Sequence, residues 1–200
     1  MKSLQAPAVA RRADRLLQRP RVIVDPDGVR YGGSKRTDQL DPYFGVVWEG
    51  WGGPVTGAPQ YGQLDPEVQR EALDRLQCGH CLGEPDRAPG AGVLWLLAAE
   101  EITPAWPADI RTTNPPICLA HAELALERCA VLRSGYLAVR ARRAVPVGVL
   151  GSVYTLGVPT PVGVEDQLVL FTDTARLRFT IGRYLVLELR GATPDTTIHP

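Results

Sequence analysis

Two closely spaced pairs of metal-ligating residues constrain the fold of this 200-residue chain more than any other feature. The first pair is Cys78 and Cys81, and the second pair, Cys118 and His121, follows after 36 intervening residues. Because only two residues separate the members of a pair, both side chains can reach one ion, and three thiolates with one imidazole complete a tetrahedral zinc site. The spacing therefore predicts a structural Zn²⁺ ion bound by Cys78, Cys81, Cys118 and His121.

The local sequence supports metal binding at both pairs. Gly79 lets the chain turn tightly between the first two cysteines, so that backbone amides can point toward the sulfurs. The second pair falls on the first turn of a predicted helix, where unpaired amides and the helix dipole stabilise a thiolate. A redox-active Cys78–Cys81 pair is the main alternative, but no thioredoxin-like strand and helix pattern surrounds it.

Cys129 is an alternative to His121 as the fourth ligand. It lies eight residues after His121, about two helical turns away, where packing against the core is the more common role of a cysteine. The other two histidines, His80 inside the knuckle and His199 near the end, are not predicted as ligands. The choice between Cys129 and His121 stays open at the level of sequence.

This arrangement resembles the treble-clef group of zinc fingers. A cysteine pair on a knuckle precedes an apolar strand at 92–99, and the second ligand pair begins a helix, so the resemblance covers roughly residues 77–134. The group includes nucleic-acid binders, protein-interaction modules, ribosomal proteins and nucleases, so the resemblance implies zinc but no single function. HNH-type nucleases need further histidines beside a second cation, and neither His80 nor His199 lies in a matching motif.

Caps, turns and apolar periodicity indicate the other elements. Asp65 caps a helix that reaches about Leu76, and Gly135 ends the helix that starts near Cys118. Strands are predicted at 21–24, 29–31, 43–49, 92–99, 136–142, 145–156 and 167–171, and further helices at 9–18 and 174–190. The turn residues Asp25–Gly28 join the first two strands as a hairpin. Gly182 weakens the last helix, and 177–181 is alternatively a strand.

The predicted fold class is α+β, with a zinc-stabilised treble-clef-like element packed against a small antiparallel sheet and a C-terminal helix. Composition divides the chain into three regions. Residues 1–64 form a basic arm and a segment rich in glycine, proline and aromatics, 65–135 form the zinc-binding region, and 136–200 form a β-β-β-α region packed on it. Residues from 65 onward are expected to make one compact domain.

Charge is unevenly distributed although the net charge is zero. Residues 1–36 carry nine basic and three acidic residues, whereas 37–110 carry three basic and twelve acidic residues. A basic arm beside an acidic segment can bind nucleic acid or can pack against the acidic segment itself, and we favour packing against the acidic segment. Twenty of the 22 basic residues are arginine, which is typical of GC-rich coding, as in an actinobacterium or its phage.

The sequence also predicts a cytoplasmic protein. No apolar run approaches the ~20 residues that span a bilayer, so we expect no membrane association. The first 20 residues lack the apolar stretch of a secretion signal. A reducing compartment keeps the thiols available to metal.

No motif supports a named reaction. Four protein ligands close a zinc site, whereas a catalytic zinc keeps an open position, and the Gly32–Lys35 segment lacks the spacing of a phosphate loop. The expected function is a non-catalytic, zinc-stabilised binding or regulatory module with a protein partner. Its predicted contact residues are Arg133, Arg140, Arg142 and Arg143, and the aromatics Tyr43, Phe44, Trp48 and Trp51.

Two other functions are kept as alternatives. In the first, the basic arm and the arginines at 133 and 140–143 bind nucleic acid, with a steep dependence on salt. In the second, the protein is an enzyme that uses zinc only structurally, with an active site that has no linear signature. Its candidate acids are Asp38, Asp41, Glu100, Glu101, Glu165 and Asp166.

Overall fold

The computed structural model describes residues 6–18, 20–99, 110–156 and 160–198. Within them the fold is mixed α+β and mostly sheet. The strands are β1 (Ala10–Arg12), β2 (Leu16–Leu17), β3 (Val22–Asp25), β4 (Gly28–Tyr31), β5 (Val47–Trp48), β6 (Trp51–Gly52), β7 (Pro59–Leu64), β8 (Arg87–Ala88), β9 (Gly92–Ala98), β10 (Ile110–Thr112), β11 (Tyr136–Thr155), β12 (Val162–Leu170) and β13 (Thr180–Pro194).

Four α-helices and one 3-10 turn complete the described elements. They are α1 (Pro66–Asp74), α2 (Leu119–Arg128), α3 (Ala130–Ser134), α4 (Thr174–Leu177) and the turn Arg36–Asp38. None of the described helices is long and apolar enough to cross a membrane.

The chain folds into two compact units, each built from separate stretches of sequence. Unit 1 comprises Met1–Arg11, Pro59–Pro146 and Leu187–Pro200, and unit 2 comprises Arg12–Ala58 and Val147–Val186. The long strands β11 and β13 each contribute residues to both units.

Unit 1 is organised around β9, an apolar strand that is buried on both faces. It pairs antiparallel with β8 and with the first part of β11, where Trp95 lies opposite Val139. Alternation sends Val93, Trp95 and Leu97 into one cluster, with Ile110, Val139 and Leu189. Leu94 and Leu96 face the other way, toward Ala122 and Leu126 of α2. The predicted strand at 92–99 is therefore confirmed, and an apolar cluster packs against each of its two faces.

Unit 2 contains smaller apolar clusters and a tight hairpin. Strands β3 and β4 pair antiparallel across a turn in which Asp25 Oδ1 accepts from the amide of Asp27 at 3.0 Å. Gly28 closes this turn at φ 124°, a conformation that favours glycine. Strand β12 pairs antiparallel with β11, and β5 runs parallel to β13. The hairpin predicted from the strands at 21–24 and 29–31 is confirmed.

The predicted C-terminal helix at 174–190 is wrong. Only α4, four residues long, is helical, and Thr180–Pro194 is strand β13. The apolar spacing suggested a helix, but Ile181, Leu185 and the two residues after it are all buried, as in a strand covered on both faces. Gly182 pairs with Trp48 of β5, and a Cβ there would lie 2.7 Å from the Trp48 ring. The glycine that weakened the helix prediction thus marks a close strand contact.

Other predicted elements differ in extent. The helix at 9–18 is wrong, because this stretch forms β1 and β2. Of the strand at 43–49 only Val47–Trp48 is present, whereas the two strands at 136–142 and 145–156 are one continuous β11. The second helix breaks at Cys129, whose backbone is extended, before α3 and Gly135.

Candidate metal centre

Cys78, Cys81, Cys118 and His121 come together in unit 1. One ligand atom of each residue, a sulfur or an imidazole nitrogen, lies within 4.8 Å of all the others, so the group could hold a metal ion. His121 Nδ1 lies 3.0 Å from Cys118 Sγ and 3.9 Å from Cys78 Sγ. Because the ligands come from two distant stretches of sequence, an ion bound here would cross-link unit 1.

The first pair sits on a knuckle that follows α1. Asp65 caps this helix as predicted, accepting from the amides of Glu67 and Val68. Within the knuckle the amide of Cys78 donates to Gly83 O and the amide of Leu82 donates to Cys78 O, both at 2.8 Å. Leu82 has φ 56°, which is unfavourable for a residue with a side chain and must be held by its surroundings.

The second pair is placed by α2. Cys118 is the residue before the first turn of this helix, and the amide of Ile117 donates to Leu94 O of β9 at 3.0 Å. The amide of Cys118 points at Cys78 Sγ, 3.4 Å away. The two pairs are therefore joined by a direct N–H···S hydrogen bond as well as by their proximity.

The backbone stabilises negative charge on one sulfur more than on another. Burial raises the pKa of the Cys78 thiol, but hydrogen bonds from the amides of Cys118, Cys81 and His80 outweigh it and bring that pKa below its ordinary value. Burial raises the pKa of Cys118 to about 11, opposed by the amide of His121. Three neighbouring thiolates repel one another, so a cation is the group that would allow all of them to ionise.

Two residues near the cluster lie outside the ligand set. The His80 ring stacks on the His121 ring, with centroids 4.0 Å apart and planes 13° from parallel. Burial, and then proximity to His121, lowers the pKa of His80. Cys129 lies between α2 and α3 and does not belong to the four-residue group, which includes His121 instead. His199 falls outside the described residues.

The predicted arginine surface is corrected at one position. The side chain of Arg140 is only 12% exposed and lies between two carboxylates, with Nη2 2.5 Å from Asp86 Oδ2 and Nε 2.5 Å from Asp195 Oδ2. Its guanidinium is therefore committed to unit 1 rather than to a partner. Arg133, Arg142 and Arg143 are exposed. No local sequence pattern marks Arg140 as internal, because its two carboxylate partners lie at distant positions, 86 and 195.

Of the four predicted aromatic contact residues, three are half-buried and make contacts within unit 2, and one is exposed. Phe44 stacks on Phe171 with ring centroids 5.1 Å apart. The indole N–H of Trp48 donates to Asp41 Oδ2 at 3.0 Å, and that of Trp51 donates to Glu49 Oε2 at 3.2 Å. Tyr43, in contrast, is 90% exposed.

The described acids among the candidates for an enzyme make different sets of contacts. Glu165 and Asp166 pair with Arg183, which also donates to the buried Glu49. Asp41 organises the Tyr43 loop, and Asp38 lines an open depression of about 940 Å³. Glu100 and Glu101 fall outside the described residues. The described acids therefore take part in three separate sets of contacts in unit 2.

Comparison with known proteins finds no match to this chain among protein-family models, curated proteins or solved structures. The chemistry of the cluster itself is well defined. Soft thiolates and one imidazole suit a borderline-soft cation.

Proposed function

We propose that this protein is a non-catalytic binding module whose unit 1 is stabilised by a structural zinc ion. Cys78, Cys81, Cys118 and His121 supply the Cys₃His ligand set that is common in structural zinc sites. The order of elements supports a treble-clef-like arrangement, because the knuckle is followed by the β8–β9 hairpin and α2 carries the second ligand pair. All four zinc positions would then be filled by protein.

Metal analysis of the purified protein tests the zinc assignment. We expect about one zinc per chain in the wild type and a clear loss in Cys81→Ser, because that variant replaces a thiolate ligand with a weak hydroxyl. Cys129→Ser is the matched control and should keep its zinc. A wild type purified without metal and unable to bind added Zn²⁺ would exclude this assignment.

The observation that carries the binding function is the presentation of Tyr43. Its loop is fixed by Asp41, whose Oδ1 accepts from the amides of Tyr43 and Phe44 at 2.9 Å each. The other carboxylate oxygen accepts from the Trp48 indole, and the Asp41 amide donates to Val46 O at 2.8 Å. A rigid loop therefore holds a nearly fully exposed tyrosine.

This geometry suits a protein partner. Tyrosine provides a large contact area at a low cost in side-chain entropy, and a preformed loop loses little further freedom on binding. No basic side chain is needed for such a contact, and the arginine that would have extended a phosphate-binding surface, Arg140, is engaged internally. We therefore place Tyr43 at the centre of a contact with an apolar pocket on another protein.

Site-specific photocrosslinking tests this surface. A photoreactive phenylalanine analogue at position 43, used in cells that normally make the protein, should capture a defined partner, whereas the same group at Tyr61 should not. Tyr61 is a matched control because it is also an exposed tyrosine, at 71%. With the partner purified, Tyr43→Ala should weaken binding by about 30-fold or more, the size of a central contact residue, and Tyr61→Ala by less than about threefold.

Two results would contradict the binding function. One is equal crosslinking from positions 43 and 61, which would mean that the exposed tyrosine has no privileged contact. The other is unchanged affinity in Tyr43→Ala. Filter binding of nucleic acid across a salt series tests the nucleic-acid alternative independently. If the protein contacts phosphates, its affinity for nucleic acid should fall steeply as salt increases.

A further inference from the structure

The knuckle of the metal centre also holds a distant segment of the chain, residues 8–11, which we call the docked segment. The amide of Ala8 donates to His80 O at 2.9 Å, and the amide of Val9 donates to Gly79 O at 3.0 Å. Gly79 and His80 are the two residues between the cysteines of the first ligand pair. The docked segment is therefore bound to the part of the backbone that a metal ion would fix.

Side-chain packing reinforces this contact. Val9 is only 6% exposed, and a Cβ placed on Gly79 would lie 3.3 Å from Val9 Cγ2 and 3.2 Å from Pro115 Cβ. Gly79 also donates its amide to Pro116 O, two residues before Cys118. The knuckle thus lies between the docked segment on one side and the approach to the second ligand pair on the other.

The docked segment then continues into the rest of unit 1. Val9 O accepts from the amide of Asp65, the cap of α1, at 2.8 Å. Strand β1 pairs with β7, and Arg11 Nε donates to Gln60 Oε1 at 2.7 Å. Release of the segment would expose Val9 and free Arg11 from this bond.

We propose that metal binding at the centre controls the docking of residues 8–11, so that loss of the ion releases an arginine-bearing segment from unit 1. This inference rests on the metal site of the proposed function and is independent of the Tyr43 contact. Without an ion, the knuckle loses the cross-link that would join Cys78 and Cys81 to the second ligand pair, and its backbone is held by weaker contacts such as the hydrogen bond from the Cys118 amide to Cys78 Sγ. The carbonyls of Gly79 and His80 then no longer keep a fixed direction, and their two hydrogen bonds to the segment are lost.

Residue-resolved hydrogen exchange of the full chain tests the proposal directly. Removing zinc with a chelator should speed exchange of the Ala8 and Val9 amides by about tenfold or more, as expected for local opening. The amide of Val29, which donates to Arg178 O in unit 2, is the internal control and should change by less than about twofold.

Thermodynamic reciprocity provides a second test. If zinc favours docking, docking must favour zinc by the same factor, so Val9→Asp should weaken zinc affinity by about tenfold although it removes no ligand. Val55→Asp is the matched control at an exposed valine and should leave zinc affinity unchanged. Protection of the Ile117 amide verifies that β9 and the approach to Cys118 stay folded in Val9→Asp; if they do not, Val9→Ala is used and should show a smaller loss in the same direction.

The outcomes separate the two proposals. A wild type that binds no zinc overturns the metal site and this inference together. A wild type that binds zinc, but whose Ala8 and Val9 amides exchange equally fast with and without it, overturns the docking control alone. Equal zinc affinity in Val9→Asp and the wild type leads to the same conclusion.

Discussion

Units 1 and 2 achieve stability by different means. Unit 1 combines a doubly buried central strand with the group of four metal-ligating residues, and the described part of unit 2 contains no comparable group. Unit 2 relies on valine-rich clusters, a tight hairpin and polar contacts around Glu49. The difference implies that metal should matter greatly to the folding of one unit and little to the other.

Each unit contains its own partly buried arginine that lies between carboxylates. Arg140 joins Asp86 to Asp195 in unit 1, and Arg183 joins Glu49 to Asp166 in unit 2. The partners differ in their access to water. Both carboxylates of Arg140 are largely covered, whereas Glu165 and Asp166 of the Arg183 cluster are 72% and 71% exposed. Comparing the two arginines therefore tests how burial changes the free energy of unfolding that an arginine–carboxylate pair contributes.

Loss of the metal site should produce the largest difference between the units. Cys78→Ser removes the most buried ligand, and structural zinc binding contributes on the order of 10 kcal/mol to small zinc domains. We expect the amides of the docked segment and the knuckle in unit 1 to lose protection, including those of Val9 and Leu82, whereas Val29 in unit 2 stays protected. Hydrogen exchange followed by mass spectrometry of both regions measures this.

Cys129→Ser is the control for Cys78→Ser, since it changes a cysteine outside the ligand group. Simultaneous loss of protection in both units of Cys78→Ser would show that their folding is not separable. Full protection of both would show that the metal site contributes nothing to unit 1.

The buried arginines should give the next largest effect. Arg140→Met leaves the buried Asp195 without its cationic partner, and breaking such a pair costs about 3–5 kcal/mol. Arg183→Met should cost less, about 2 kcal/mol, because two of its three carboxylate partners, Glu165 and Asp166, are exposed and stay hydrated without the arginine. Urea unfolding of both variants measures the difference, and equal losses would contradict the role assigned to burial.

The site was more accessible to prediction from sequence than the fold around it. A two-residue spacing between ligands is a local property, so Cys78, Cys81, Cys118 and His121 could be selected without knowing any tertiary contact. Local rules also located the Asp65 cap and the turn at Asp25, because both depend on a side chain bonding to a nearby amide.

Elements defined by long-range packing were harder to predict. Strand β13 is covered on both faces, so its apolar residues do not alternate and their spacing also fits a helix. Arg140 looks like a surface residue in sequence because its two carboxylates come from positions 86 and 195. The contrast between the exposed Tyr43 and three half-buried aromatics likewise depends on the Phe44–Phe171 stack and on hydrogen bonds that composition does not reveal.

Lowering the pH should decrease the stability of unit 1, because Asp195 becomes protonated. Burial raises the pKa of this carboxyl, but the hydroxyl and amide of Thr197 and the Arg140 guanidinium outweigh burial and hold the pKa below its ordinary value. A carboxyl whose pKa is lower in the folded state stabilises the fold fully above its unfolded pKa of about 4, and this contribution is lost as pH falls through the folded value. The difference in unfolding free energy between wild type and Asp195→Asn should therefore shrink below about pH 4.

Urea unfolding at several pH values between about 6 and 3 measures this dependence. Asp173→Asn in unit 2 is a control for the loss of a carboxylate elsewhere. A difference between wild type and Asp195→Asn that stays constant down to the lowest pH would mean that Asp195 does not keep a lowered pKa in the folded protein.

The two helix caps should show the smallest contrast. Asp65 is buried and accepts from two amides of α1, at 3.1 and 3.3 Å, whereas Asp173 accepts from one amide of the four-residue α4, at 3.1 Å. Replacing a cap with alanine costs about 0.5–2 kcal/mol. We expect Asp65→Ala near the upper end of this range, since two partly buried hydrogen bonds to a buried carboxylate are lost, and Asp173→Ala near the lower end, since water can replace a half-exposed carboxylate. Equal shifts in the urea midpoint would mean that burial adds nothing to capping in unit 1, and the contrast between the two units would then rest on the metal centre and the arginines alone.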